Sequence, residues 1–276
     1  MKNWFLQFKQ NPRGIVGLAV LLLWIFAALA GPAFLTHTYT GMDMESQLTG
    51  PGVNGHLLGT DALGRDVFSR IIYGSRSILT IALMTSLLSS IAGIIIGFTA
   101  GYFGGTVDTV FLRIMDILMA IPPLVLSMVV LGILGNSTIF GLTIIVSLAY
   151  TPATARVARG ALLTCKGNEY VDAARIRGES HLYIMFIEIL PNTIGPVIVE
   201  ITARFAYSIM MIASLGFLGV GLQPPTPDWG MMVIENKSLI LEAPWTVLYP
   251  SLAIASLVIA VSLFSDFISK VMIHEN

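Results

Sequence analysis

Five uncharged stretches divide the chain: Gly14 to Phe34, Ser77 to Val107, Ile117 to Ala155, Phe205 to Pro227 and Ala243 to Ser265. About 20 apolar residues suffice to carry a helix across a bilayer, so each can form a span. The third is too long for one crossing, and Gly135-Asn136-Ser137 in its middle supplies a turn that divides it in two. The fourth begins late, because Glu200 and Arg204 interrupt a span that starts just after Pro191. The pattern predicts six spans, near residues 14–34, 78–101, 111–134, 139–158, 193–218 and 247–269. Backbone groups cannot be left unpaired in hydrocarbon, and the short alternating segments of a membrane barrel are absent. The expected fold class is therefore all-α integral membrane with six transmembrane helices.

Composition agrees: 55% of the 276 residues are hydrophobic and 11% charged, against roughly 25% charged in soluble domains. Lys and Arg set the orientation. With the N-terminus inside, the inner segments hold Lys2, Lys9, Arg13, Arg113, Arg156, Arg159, Lys166, Arg175, Arg177 and Lys270, and the outer ones only Arg65, Arg70, Arg76 and Lys237. Both termini are expected in the cytosol. The chain then divides into a tail 1–13, a first span 14–34, an external segment 35–76, a core 77–270 holding a cytosolic loop 159–191 and an external loop 221–246, and a tail 271–276. The first apolar run exceeds the length of a cleavable signal's core and should stay as an anchor.

A net charge of −1 and the lack of a basic cluster with interleaved aromatics exclude nucleic acid as a partner. Cys165 falls on the cytosolic loop and reads as a structural or incidental thiol, not a reactive one. His37, His56, His181 and His274 are scattered over both sides, no His-Glu-x-x-His or Gly-x-Ser-x-Gly occurs, and no glycine-rich stretch ends in Lys-Ser or Lys-Thr. The chain itself is expected to be no enzyme, with no catalytic residue, metal or cofactor of its own.

Within the spans, Gly93, Gly97 and Gly101 form a small-residue stripe that admits another helix closely, from this chain or a partner. Pro122-Pro123 should kink the third span about midway. The external segment, with Asp61, Arg65, Asp66 and Arg70 among turn glycines, reads either as a solvated loop before a helix started by Asp61 or Asp66, or as a folded cap held by charge-assisted bonds. Trp229 reads as an interface anchor, and Met231 to Leu241 as a short helix at the outer surface. Asp116 and Asp266 fall near inner helix ends, with Arg113 a partner for the former. Glu200 and Arg204, four residues apart, share a helix face and should pair. They can be a structural bridge or a cavity wall that touches solute.

The cytosolic loop carries the most specific pattern. Glu169 to Arg177 can form about two helical turns; Gly178 can stop that helix and Ser180 cap the next. In the second helix Leu182, Met185, Phe186 and Ile189 fall on one apolar face, and Leu190-Pro191 ends the element. Such a face can lie on the protein's own helix ends or fill a partner's groove.

Asp172-Ala173-Ala174, three residues, Gly178, then Leu190-Pro191 resembles the Glu-Ala-Ala loop of binding-protein-dependent ABC importer permeases. Asp172 replaces the usual Glu, and Glu188, where Ile is common, would tilt the apolar face. Leu58-Gly59-Thr60-Asp61, Gly64-Arg65-Asp66, Ser69-Arg70, Tyr73-Gly74, Gly101 to Gly105 with Asp108, and Phe217-Leu218-Gly219 through Pro224-Pro225 to Trp229-Gly230 are similar to the second permease of dipeptide, oligopeptide and nickel importers. Beyond Ser265-Asp266 the family's Arg-Asp pair is missing. The resemblance implies a type I importer transmembrane domain in the cell inner membrane. It further implies a homologous second permease, two ATPase subunits using ATP and Mg, an external solute-binding protein, and Asp172, Ala173, Ala174, Arg177, Gly178, Leu182, Phe186, Leu190 and Pro191 as the ATPase-coupling residues. A gradient-driven transporter or channel is the rival class, and would call for inverted halves and broken helices, whereas the sequence displays no duplication and only one proline kink.

Overall fold

The computed structural model describes residues 11–135 and 138–274. Lys2, Lys9 and the Asn136-Ser137 part of the expected turn lie outside the described residues. Helices α1 (Pro12–Ala30), α2 (Val67–Phe103), α3 (Gly105–Met119), α4 (Pro123–Leu134), α5 (Ile139–Cys165), α6 (Glu169–Ile176), α7 (Ile194–Phe217), α8 (Trp229–Asn236) and α9 (Trp245–His274) build it, and no strand occurs among the described residues. Five helices among the described residues are long and apolar enough to cross a membrane, and α3 with α4 form a bent pair that makes six if the two together are one crossing.

The bundle core gathers Ile81, Leu142, Ile209, Leu215 and Leu257. Its closest packing is between α2 and α5, where the glycine stripe lies. A Cβ on Gly97 would stand 2.2 Å from the Ala155 carbonyl oxygen, and one on Gly93 would stand 2.7 Å from Thr154 Cβ. The stripe thus serves contact within the chain.

Four expectations are corrected. The double proline breaks the third span rather than kinking it: Pro123 forces Pro122 into extended backbone (ψ 133°), and α3 and α4 meet at 82°. Asp116 pairs with Arg156 at 2.6 Å, not Arg113, because α5 passes beside α3 there. Trp229 is no interface anchor. It is 1% exposed, donates to the Ile71 carbonyl oxygen at 3.0 Å and packs beside Trp24 and over Gly74, whose missing side chain makes the room. The expected short helix exists as α8 followed by a 3-10 turn Lys237–Leu239, but with Trp229, Met232 and Asn236 buried it packs on α7 and α9 instead of lying on the surface; the last helix reaches His274 through part of the expected tail.

One end of the bundle is closed by residues 35–76. Asp66 caps α2 by accepting from the Ser69 amide at 2.7 Å, and His56 Nδ1 lies 2.9 Å from its other oxygen. Asp61 accepts from Arg65 Nε at 2.7 Å and Arg70 Nη1 at 2.8 Å, while Arg65 also reaches Glu235 on α8 at 2.8 Å. These groups, Glu235 apart, are buried, so the folded cap, not the solvated loop, is what the chain makes. Gly64 permits it: its backbone turns at φ +71°, and a Cβ would collide with the Asp43 carbonyl.

Candidate functional site

The opposite end carries the loop singled out in the sequence. α6 stops in a Schellman turn: the Gly178 amide donates to the Arg175 carbonyl at 3.0 Å, the Glu179 amide reaches Ala174 at 3.2 Å, and Gly178 adopts φ +77°. Ser180 then caps the next element, accepting from the Tyr183 amide at 3.2 Å. The corner forms as expected.

Beyond the corner the chain departs from a plain amphipathic helix. A single α-turn, His181–Tyr183, passes into a π-helical stretch, Ile184–Ile189, and a 3-10 turn, Leu190–Thr193, that runs straight into α7. Leu190-Pro191 therefore does not end the element. Proline cannot donate and its ring crowds the preceding turn, and the wide π turn absorbs that misfit without breaking the rod.

The π turn also re-phases the apolar face. Ile184, Met185 and Ile189 are buried, with Val171 and Ala174, against Phe98, Tyr102, Ala158 and Leu162 at the ends of α2 and α5. Phe186 stacks on Phe98 with 6.1 Å between centroids, and Leu190 packs on the same cluster. Lys166 Nζ to the Gly101 carbonyl (2.9 Å) and Tyr102 Oη to His181 Nδ1 (3.1 Å) fasten the loop further. The inner face is thus filled by the chain's own helix ends.

The outer face stays bare. Of the expected coupling residues, Asp172, Ala173, Arg177, Gly178, Leu182 and Pro191 are exposed, whereas Ala174 is buried and Phe186 and Leu190 are half-buried and turned inward. Leu182 is 66% exposed and Ile176, which the apolar pattern does not single out, 86%. A β-branched side chain at the last position of a polar helix, just before the stop glycine, was the signal available for Ile176. Glu188 does not tilt the buried face: it reaches across the corner to Arg177 at 2.7 Å.

The Glu200–Arg204 pair forms as expected, Arg204 Nε to Glu200 Oε1 at 2.6 Å, with Thr154 Oγ1 donating to the same oxygen at 3.2 Å. Nearer the loop, α5 binds α3 through Arg159, which grips both oxygens of Asp108 at 2.6 Å. Among the described residues no group of three metal-ligating side chains converges.

Comparison with known proteins gives the family and the fold. The model of the binding-protein-dependent transport system inner membrane component matches residues 93–274, and that of the N-terminal transmembrane domain of oligopeptide transport permease C matches residues 1–51. The dipeptide transport system permease protein DppC of Haemophilus influenzae is 38% identical over 268 residues, covering 95% of this chain and 90% of that one. The di/tripeptide transport system permease protein DppC of Pseudomonas aeruginosa is 37% identical, covering 96% and 89%, and the glutathione transport system permease protein GsiD of Pectobacterium atrosepticum 36%, covering 95% and 87%. A chain of the MetNI methionine ABC transporter, solved in inward-facing conformations, shares the fold at a TM-score of 0.53 and 18% identity, over 70% of this chain and 93% of that one. The chain belongs to the binding-protein-dependent transport system inner membrane components.

Proposed function

We propose that this chain is one of two permease halves of an ATP-driven peptide importer. Its termini and residues 159–191 lie on the cytosolic side, two ATPases dock beneath, and a binding protein delivers solute to the closed end. The observation that carries the reading is the two-faced loop. Its inner side is fixed to α2 and α5, while Ile176 and Leu182 flank a glycine corner that no described residue covers. Moving a two-state equilibrium from 1:99 to 99:1 takes about 5.5 kcal/mol, which an anchored lever transmits and a loose loop does not. The relatives are called dipeptide, di/tripeptide and glutathione permeases, which favours peptides over a metal chelate.

Purification of the tagged chain from its native membrane should bring ATPase subunits with it, and peptide uptake should stop when ATP is depleted. Uptake that survives depletion, with no ATPase attached, would return the chain to the gradient-driven class. Gly178→Trp should leave the chain in the membrane and lower uptake well below Gly178→Ala, which carries the same strain at φ +77° without the bulk; equal uptake by the two would count against a docked partner at the corner.

A further inference from the structure

Arg204 stands ten residues after Ile194, the start of α7, about 15 Å along the helix by its rise. The bonding of its side chain is unfinished. A guanidinium offers five N–H donors, and Arg204 engages Nε alone, with Glu200. Its two terminal nitrogens have no hydrogen-bond partner among the described residues, and neither is sealed from the surface. The group is nonetheless held still. It lies over the rings of Tyr150 and Tyr207, 5.3 and 5.4 Å from their centroids, and Tyr150 Oη donates to the Tyr207 carbonyl oxygen at 3.0 Å. A fork clamped at its base and open at its tip is preorganised for a planar anion with two oxygens.

The helix that carries the fork runs on to a cleft. Tyr207, Met210, Ser214 and Phe217 follow one another along a single face of α7. The last three line a cleft of about 800 Å³ shared with Leu124 and Val233. A charged pair in the middle of a span, on the edge of such a face, faces water or protein and not lipid.

We propose that Arg204 is a subsite for the terminal carboxylate of a peptide in transit, with Glu200 and the two tyrosines as positioning residues. The proposal rests on the peptide-importer reading and deepens it. Each short peptide with a free C-terminus presents that planar anion whatever its side chains, so the contact would be independent of peptide sequence.

The test uses the complete importer, both permeases with their ATPases and binding protein, reconstituted in vesicles with internal ATP and offered radiolabelled dialanine. Folded yield and ATPase co-purification are measured alongside uptake. Losing a charge-assisted contact should lower uptake about tenfold or more in Arg204→Gln. The double variant Glu200→Gln with Arg204→Gln restores charge balance, so a purely structural bridge predicts recovery of both yield and uptake. The carboxylate subsite predicts recovered yield with uptake still down. Arg204→Lys, which keeps the charge and loses the fork, should also fall below wild type, and it decides the matter if the neutral variants fail to fold. Wild-type uptake by the double variant, or by Arg204→Lys when only that variant folds, overturns the subsite alone. No dialanine uptake by the wild-type complex removes the peptide-importer reading and the subsite with it.

Discussion

The two ends of the bundle treat charge in opposite ways. At the capped end Asp61, Arg65 and Arg70 are buried and bond one another. At the loop end Asp172 with Arg175, and Arg177 with Glu188, are paired near the surface. Buried pairs make a structure intolerant of losing either member, whereas exposed ones are worth little. The capped end is therefore a fixed closure. The loop end has its apolar side nailed down and its polar side free to exchange partners.

The difference can be broken most severely at Asp61. Asp61→Ala leaves the two buried guanidinium groups with Glu235 as their one shared carboxylate among the described residues and should cost about 3 kcal/mol, read as loss of folded protein in a detergent thermal-shift series. Wild-type stability would mean that the closure does not depend on its ion network. Next comes the support beneath the loop. Gly97→Val drives a side chain into the α5 backbone and should cost about 1–3 kcal/mol, with faster proteolysis at residues 166–180 as the local readout; an unchanged digest would deny that helix contact anchors the loop.

A pH titration sharpens the comparison further. Asp228 caps α8 and accepts from the Met231 and Leu222 amides, yet burial outweighs these bonds and pushes its pKa up to about 6. A raised folded-state pKa gives stability that is full below the unfolded value near 4 and is lost as pH rises through about 6. The capped end should thus loosen between pH 4 and 7, by hydrogen exchange at residues 222–236, and Asp228→Asn should flatten that dependence. The smallest effect is expected at the loop end: Arg177→Ala removes a half-exposed pair and should change stability by under about 1 kcal/mol. A larger loss would mean that the corner is as closed as the cap.

Much of this was legible in the residues. Hydropathy located the five long apolar helices and the bent pair, and Gly178 and Ser180 announced the corner because left-handed backbone and helix caps are local demands. The i, i+4 spacing foretold Glu200 with Arg204 for the same reason. Tertiary contacts were not legible. Trp229 looks like an interface residue in the sequence, but Gly74 leaves it a buried slot, and Asp116 turns to Arg156 on another helix rather than to its sequence neighbour. The inward turn of Phe186 and the exposure of Leu182 depend on a π-helical register that the apolar pattern, read at 3.6 residues per turn, does not encode.

That π and 3-10 stretch has a mechanical corollary. Because it bridges Pro191 without a break, His181–Phe217 is one helical piece of 37 residues, about 55 Å long at the α-helical rise. A tilt of its near tip is passed along the rod toward the Arg204 guanidinium and the far cleft, as a crankshaft does, with the π and 3-10 turns ahead of α7 as the place where the stroke can flex.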